Sequence, residues 1–138
     1  MTGNYSKPIP VPQGESDFYW EKTKRQELWL RKCDDCGEPY FYPRDISPCC
    51  FSKNTSWVKA SGKAKLHTYG IVHRAPHPGF QADTPYVTAI VELEEGPKMA
   101  TNIVIDDPTP EKLSIGLQLE VVFEEITEDI TLPKFRPR

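Results

Sequence analysis

The chain has 138 residues and a formal net charge of −3, with 14 prolines, eight glycines and four cysteines. This length allows one domain, or a small module attached to one compact core. The acidic balance does not favour a polyanionic partner, and no apolar run approaches the roughly 20 residues that span a bilayer. We therefore expect a soluble, cytoplasmic protein without a membrane partner. The frequent prolines and glycines argue against long helices and favour short strands.

The first 15 residues are expected to form an extended arm. Pro8, Pro10 and Pro12 alternate with Ile9 and Val11, a pattern that favours a polyproline-like conformation without hydrogen bonds of its own. Two interpretations stay open for this arm: a disordered tail, or a segment that lies on a partner subunit.

A short helix is predicted next. Ser16 or Asp17 can cap it, and it would run to about Gln26. Its first turn carries Phe18-Tyr19-Trp20, and three adjacent rings cannot all point into one small core. We expect at least one ring at the surface, open to a partner or a flat ligand. Simple core packing is the alternative.

All four cysteines lie in one segment, CDDCGEPYFYPRDISPCC. Its first pair forms a CxxCG knuckle, in which one turn aims both sulfurs at one ion and Gly37 can adopt a positive φ. An alternating strand at 27–32 enters this knuckle, and a short strand between the two pairs would complete a zinc ribbon. We predict a structural zinc ion with four ligands: Cys33, Cys36, Cys49 and Cys50.

The second knuckle departs from a regular Cys-Pro-x-Cys pattern, because Ser47 stands where its first cysteine would be. Three interpretations stay open. Cys49 and Cys50 both bind zinc through a strained turn, a water completes a three-sulfur site, or the metal site has decayed. Buried thiols or a disulfide are the alternatives without metal, although the absence of a signal peptide favours a reducing compartment. Four sulfurs would leave no open position for a substrate, whereas three would.

After the cysteines the pattern changes to longer alternating strands. Five are predicted, at 57–61, 63–74, 85–93, 98–105 and 118–125. Five strands of this length, bent at glycines, favour a small closed barrel of the OB type, since a sandwich would normally need about seven. The predicted organisation is an extended arm at 1–15, a helix and zinc ribbon at 16–56, and a barrel with a C-terminal tail at 57–138.

A series of short motifs runs in order along nearly the whole chain after residue 16. They are Phe18-Tyr19-Trp20, Leu28–Cys36-Gly37, Tyr42-Pro43-Arg44, Trp57 through Ser61-Gly62, Tyr69–Arg74 with Pro78-Gly79-Phe80, Pro85-Tyr86-Val87, Val91-Glu92-Leu93 with Glu95-Gly96-Pro97, Ile115-Gly116 and Leu132-Pro133-Lys134-Phe135-Arg136-Pro137. Together they resemble a family of archaeal and bacterial proteins known as domain of unknown function 35, also described as acyl-CoA-associated. The resemblance implies a mainly β fold with a short N-terminal helix, a rubredoxin-like zinc ribbon and a five-stranded OB-fold barrel. Ser47 departs from the family's ligand pattern.

Members of that family are small partners of thiolase-like enzymes, and some act in sterol side-chain degradation. The resemblance therefore implies a non-catalytic accessory or scaffold subunit that binds a thiolase-like or related acyl-CoA enzyme. A direct contact with acyl-CoA is left open. Coenzyme A carries phosphates and a flat adenine, so a site needs cationic and aromatic side chains together. The candidates near the helix and ribbon are Trp20, Lys24, Arg25, Trp29, Arg31 and Arg44; solvated charges and core rings are the alternative for each.

Two other classes of function fit parts of the sequence. Zinc ribbons and OB barrels bind nucleic acids elsewhere, but the predicted barrel strands carry many acidic residues that would repel a polyanion. A zinc-dependent acyl-transfer or hydrolytic enzyme would need an open metal site. The histidines His67, His73 and His77 fall within one strand and its loop, yet the sequence has no Ser-His-Asp order, glycine-rich phosphate loop or HExxH helix. We therefore expect no nucleic-acid partner and no catalytic residues in this chain.

Overall fold

The computed structural model describes residues 5–138 and consists of a three-stranded sheet, one α-helix and a closed five-stranded barrel. A mainly β fold with a barrel is thereby confirmed. Short 3₁₀ turns lie at Gly14–Ser16, Pro78–Asp83 and Pro110–Lys112. The regular elements are α1 (Asp17–Lys24), β1 (Trp29–Cys33), β2 (Pro39–Tyr40), β3 (Thr55–Lys59), β4 (Lys63–Val72), β5 (Tyr86–Leu93), β6 (Lys98–Ile103), β7 (Gln118–Glu125) and β8 (Thr131–Pro137).

Helix α1 ends two residues before the predicted position. Gln26 adopts a left-handed φ of 61°, and its N–H donates to the carbonyl of Thr23 at 2.9 Å. The N–H of Glu27 reaches back to the carbonyl of Lys22 at 3.0 Å. This pair of bonds satisfies the last carbonyls of the helix in a Schellman-type end. Glycine is the usual residue at such an end, so a glutamine gave no signal for it in the sequence.

The ribbon sheet has the order β2-β1-β3, with both neighbours antiparallel to β1. Its third strand corrects a sequence prediction, because we assigned 57–61 to the barrel. Residues 55–59 instead pair with β1, and Arg31 lies opposite Trp57. The Trp57 ring packs on Phe18, with ring centroids 4.5 Å apart. An alternating pattern shows that one face is covered, but not which element covers it.

The barrel closes in the order β4-β5-β6-β8-β7, and β4 and β7 pair through Ala64 and Leu119. Its fifth strand is β8, which we predicted to be a C-terminal tail. β8 pairs with β7 along its whole length and with β6 through Ile103 and Phe135. The barrel therefore has five strands as predicted, but β8 takes the place that we gave to residues 57–61.

Two prolines concealed β8 in the sequence. The Phe135 carbonyl accepts from the Val104 N–H at 2.7 Å, so the backbone groups of Phe135 face β6. Successive residues of a strand direct these groups to opposite neighbours, which places Pro133 and Pro137 on the β6 side as well. Their missing N–H groups thus fall on the side where pairing is sparse, and the ladder with β7 stays intact.

Gly62 lies where the chain passes from the ribbon to the barrel. Its φ is +86°, and a Cβ at this position would lie 2.7 Å from Cγ1 of Val121. The Val121 N–H donates to the Gly62 carbonyl at 2.8 Å, which holds the bend against β7. A side chain here would meet both a strained backbone and a packed methyl group.

The N-terminal arm contacts its own barrel. Tyr5 packs against the core, and Lys7 Nζ lies 2.9 Å from Asp83 Oδ2. Farther along, Ile9 and Val11 are exposed. Residues 1–4 of the predicted arm lie outside the described residues. Within residues 5–138, no helix is long and apolar enough to cross a membrane.

Truncation of Phe135 tests the role of β8. Phe135 is completely buried, so Phe135→Ala should lower the free energy of unfolding by about 3–5 kcal/mol. Arg136→Ala is the matched control on the same strand; it removes a half-exposed ion pair with Glu120 and should cost less than about 1 kcal/mol. Urea unfolding measures both changes. Equal losses in the two variants would contradict the assignment of β8 to the barrel core.

Candidate metal centre and aromatic–cationic face

The first knuckle is a turn between β1 and β2. The Cys33 N–H donates to the Glu38 carbonyl at 3.0 Å, and the Cys33 carbonyl accepts from the Gly37 N–H at 2.7 Å. Gly37 has a φ of +76°, as its place in the knuckle predicted. The Cys36 N–H is directed at the Cys33 sulfur, 3.4 Å away. Such N–H groups favour the thiolate form that binds a metal.

The second knuckle repeats the same hydrogen-bond scheme. The Ser47 N–H donates to the Ser52 carbonyl at 2.9 Å, and the Ser47 carbonyl accepts from the Phe51 N–H, also at 2.9 Å. Ser47 therefore corresponds to the first cysteine of the other knuckle and Cys50 to the second. Cys49 falls at the position between them that carries no ligand in the first knuckle.

Three sulfurs meet between the two knuckles. The Sγ atoms of Cys33, Cys36 and Cys50 lie within 4.8 Å of one another, and that of Cys33 lies 3.5 Å from that of Cys50. Sulfurs that share a tetrahedral zinc ion, at about 2.3 Å from the metal, are about 3.8 Å apart. The cluster and its soft donors therefore fit a structural zinc ion. The Cys49 sulfur lies outside this group and contacts Cys36 Sγ at 2.9 Å; its role as a ligand stays a prediction.

Hydrogen bonds give the thiols of Cys33 and Cys36 different pKa values. Those from the Ser47 hydroxyl and the Cys36 N–H lower the pKa of the Cys33 thiol to about 7. The contacts with Cys49 and then Cys33 raise the pKa of the Cys36 thiol to about 11. Cys33 is thus the first of the two to become a thiolate, the form that binds zinc.

Phe51 is the residue of the second knuckle that sequence reasoning missed. It takes the position that Gly37 holds in the first knuckle, with a left-handed φ of 62°, and its side chain is 80% exposed. A left-handed conformation costs a non-glycine residue on the order of 1–3 kcal/mol. The exposed ring gains no burial in return, so the fold itself does not explain the residue. Comparison of the two knuckles, Gly37 against Phe51, was the signal available in the sequence.

A second feature covers the outer side of α1 and the ribbon sheet. We name it the aromatic–cationic face, and its members are Phe18, Lys22, Trp29, Arg31 and Trp57. The Phe18 ring centroid lies 5.5 Å from that of Trp29 and 4.5 Å from that of Trp57. Lys22 Nζ lies 5.1 Å and 5.3 Å from the Phe18 and Trp29 centroids, and Arg31 Cζ lies 4.8 Å from that of Trp57. All five residues are partly exposed.

Two of the six predicted coenzyme A residues, Trp29 and Arg31, belong to this face. The Arg31 guanidinium is held in place by Asp45 Oδ1 at 3.2 Å and Thr55 Oγ1 at 3.0 Å. Phe18 is the partly exposed member of the three rings of which we expected at least one at the surface, whereas Lys22 and Trp57 were not predicted as members of a site. Phe18 and Lys22 are four residues apart on α1, a spacing that places two side chains on one side of a helix.

Trp20 and Arg44 lie around a different residue, Tyr42. Trp20 is only 7% exposed, and its indole N–H donates to the Tyr42 hydroxyl at 3.0 Å. It does not offer a ring to a flat ligand, which corrects our use of Trp20 as a candidate. Arg44 is exposed, with its guanidinium over the Tyr42 ring at 5.1 Å and Nη1 3.2 Å from a carboxylate oxygen of Glu15.

Lys24 and Arg25 are exposed at the end of α1. Arg25 Nη2 lies 3.1 Å from Glu21 Oε2, and both side chains are mostly exposed. Pairs of this kind contribute about 0.3–0.5 kcal/mol to a helix, so they place few constraints on either side chain. The structure does not bring these two cations into the aromatic–cationic face, where Lys22 supplies the helical charge.

Two family models match the chain. One, described as ChsH2, rubredoxin-like zinc ribbon domain, matches residues 20–56, and the other, ChsH2, C-terminal OB-fold domain, matches residues 57–124. A DUF35 domain-containing scaffold protein of Methanocaldococcus jannaschii is 46% identical over 112 residues, which cover 80% of this chain and 77% of that protein.

Relatives with enzyme names are also similar. A protein of Thermomonospora curvata named probable enoyl-CoA hydratase alpha subunit is 34% identical over 131 residues, 95% of this chain but 40% of that protein. The chain thus spans less than half the length of that relative. A solved structure described as Ltp2-ChsH2(DUF35) aldolase has a TM-score of 0.79 and 33% identity, and the match covers 94% of this chain and 98% of that one.

Metal analysis tests the cysteine cluster. Protein purified without chelator should contain about one zinc ion per chain. Cys33→Ser should lose the ion and unfold the ribbon, because metal binding and folding are coupled in such small modules. Near-ultraviolet circular dichroism from Trp29 and Trp57 reports on the ribbon sheet. Lys53→Ser is the control, an exposed residue of the loop after the second knuckle. A folded ribbon in metal-free protein would rule out a structural zinc ion.

Proposed function

The chain belongs to the DUF35 family of zinc-ribbon and OB-fold proteins, and from this membership we propose that it is a non-catalytic accessory subunit that binds an acyl-CoA enzyme. The M. jannaschii relative is named a scaffold protein, another relative is named a probable enoyl-CoA hydratase alpha subunit, and the similar solved structure is described as an Ltp2-ChsH2(DUF35) aldolase. We extend the proposal to a thiolase-like or related acyl-CoA enzyme as the partner.

The exposed ring of Phe51 is the observation that carries the proposal. Ile46 and Pro48 of the same knuckle are exposed too, and we call these three residues the knuckle tip. Aromatic anchors dominate the energy of many protein interfaces, above all when the free protein already holds them in place. The backbone bond from the Phe51 N–H to the Ser47 carbonyl fixes the main chain from which the ring projects, so the tip is suited to an apolar pocket of an enzyme subunit.

The surroundings of His77 support a non-catalytic role. Its Nδ1 accepts from the Gly79 N–H at 2.9 Å and caps the 3₁₀ turn that follows. Within residues 5–138, the one group of metal-binding side chains is formed by the three cysteines. The chain's own contribution to a reaction would then be the placement of partners.

The aromatic–cationic face supports a contact with acyl-CoA itself. Its rings can stack on adenine, and Lys22 can bind phosphate oxygens. Arg31, whose side chain is 13% exposed and bound by Asp45 and Thr55, positions the Trp57 ring. Lys24 and Arg25 lie close by in sequence and are free to turn towards a ligand. Of the residues predicted for this ligand, Trp29 and Arg31 now stand at the centre of the proposed contact.

Phe51→Gly separates partner binding from stability. Glycine adopts the left-handed conformation without strain, so the free energy of unfolding should stay within about 1 kcal/mol of wild type. Loss of an aromatic anchor costs about 2 kcal/mol or more, so affinity for the partner should fall at least roughly 30-fold. Co-purification from the native cell identifies the partner enzyme. Titration of the recovered enzyme with wild type and with Phe51→Gly then measures the affinity of each.

Ile115→Ala is the matched control, because Ile115 is 66% exposed but lies on the barrel. It should leave the affinity unchanged. Recovery of the chain alone at several salt concentrations would contradict the accessory role. An acyl-CoA enzyme that binds wild type and Phe51→Gly equally would leave that role standing and exclude the knuckle tip as the anchor.

Lys22→Ala tests the coenzyme A contact. It removes the cation that lies over the Phe18 and Trp29 rings and should weaken coenzyme A binding to the assembled complex by about 1 kcal/mol, or roughly fivefold. Lys53→Ala removes an exposed charge elsewhere on the ribbon and should have no effect. Isothermal titration calorimetry is the measurement. Identical binding by both variants would place the ligand outside this face.

A further inference from the structure

We propose that zinc in this chain is held by the sulfurs of Cys33, Cys36 and Cys50, that Cys49 is not a ligand, and that the fourth position, beside Ser47, holds an exchangeable oxygen ligand. The geometry of the two knuckles supplies the first step. Both turns have the same two backbone hydrogen bonds, and in the first turn the ligands are the residues that open and close a four-residue run. The same rule applied to the second turn selects Ser47 and Cys50.

The position of Cys49 supplies the second step. It corresponds to Asp35, whose carboxylate accepts from the Asn54 amide at 3.0 Å. The Cys49 N–H donates to the Ser47 hydroxyl at 3.1 Å. Its sulfur contacts Cys36 Sγ at 2.9 Å but does not lie within 4.8 Å of all three sulfurs of the cluster. Cys49 is exposed and lies beside the cluster, not within it.

The burial of Ser47 supplies the third step. Ser47 is completely buried, which is uncommon for a hydroxyl in a turn. Its Oγ lies 3.9 Å from Cys50 Sγ and accepts the Cys49 N–H. The ligand position that lacks a sulfur is therefore lined by an oxygen, either that of Ser47 or that of a water it binds. A zinc ion with three protein sulfurs and an oxygen retains a position that another ligand can occupy.

The chemistry of zinc indicates which ligand that would be. Zinc favours thiolate over a neutral oxygen donor, and Cys36 and Cys50 are exposed, so the sulfur cluster is reachable from solvent. A small thiol would bind as the thiolate, release its proton to solvent and displace the oxygen ligand. No electron is transferred in this exchange. The site would thus bind a free thiol reversibly.

Cobalt substitution in the full chain tests the ligand set, because the sulfur-to-cobalt charge-transfer absorption increases with the number of bound thiolates. Cys49→Ala should keep the wild-type intensity and the wild-type metal stoichiometry. Cys50→Ala should lose about a third of the intensity, and Ser47→Cys should gain about a third, as one of three sulfurs is removed or a fourth is added. If Cys50→Ala does not fold, the comparison of Cys49→Ala with wild type and Ser47→Cys still decides.

A loss of intensity in Cys49→Ala would overturn the proposal, because Cys49 would then be a ligand. An intensity in wild type that already equals that of Ser47→Cys would overturn it as well. The exchangeable position is tested by titration with 2-mercaptoethanol. Wild type should rise saturably towards the Ser47→Cys spectrum, and Ser47→Cys itself should not change. No response in wild type would show a closed site and exclude thiol exchange. None of these outcomes depends on the partner enzyme.

Discussion

The ribbon depends on the closure of two turns around one sulfur cluster. Its sheet has only three strands, and β2 contributes two residues, too few to enclose a core. The buried side chain of Leu30 belongs to the apolar core that the ribbon shares with the helix and the barrel. The fully buried Cys33 contacts Cys50 of the other turn through its sulfur. A module of this size normally needs a metal or a disulfide to fold. The cysteine cluster therefore determines whether the strands that carry Trp29, Arg31 and Trp57 stay in register.

The barrel needs no such clamp, because its strands close on each other and β8 completes the circle. Helix α1 connects the two parts. The apolar core runs continuously from Tyr19 and Trp20 of the helix, through Leu28 before β1, to Phe135 in the barrel. This continuity explains why Trp20 is unavailable to a ligand although its neighbour Phe18 is partly exposed. A helix of eight residues, or about two turns, has one buried side, so of three successive rings two lie on that side and one lies at its edge.

Local sequence patterns predicted much of this structure, and the wrong assignments of β3 and β8 share one cause. The CxxCG knuckle, the helix and the strands β4 to β7 follow from spacing and alternation, which the chain satisfies residue by residue. The sheet to which β3 or β8 belongs depends on the distant strand with which each one pairs. Trp57 was assigned to the wrong sheet because its partner is a helix side chain, and β8 was missed because Pro133 matters only if its backbone nitrogen faces a paired strand. At the metal centre, the pattern identified the irregular knuckle, and the backbone bonds were needed to show that Ser47 corresponds to Cys33 of the first knuckle.

The two departures from knuckle symmetry occur in the same turn. In the three-sulfur site that we propose, Ser47 stands in place of a sulfur, which weakens the hold on the metal. Phe51 stands in place of a glycine, which strains the backbone. Both act against folding, whereas the first knuckle keeps cysteine and glycine at the matching positions. If an enzyme partner binds the Phe51 ring in its left-handed conformation, it also stabilises the turn that holds Cys50 in the cluster. Linkage then makes the effect reciprocal, so bound zinc strengthens the partner contact by the same free energy with which the partner strengthens zinc binding. The three-sulfur metal site that we propose is suited to this coupling, because a site already saturated by four sulfurs would leave the partner little to add.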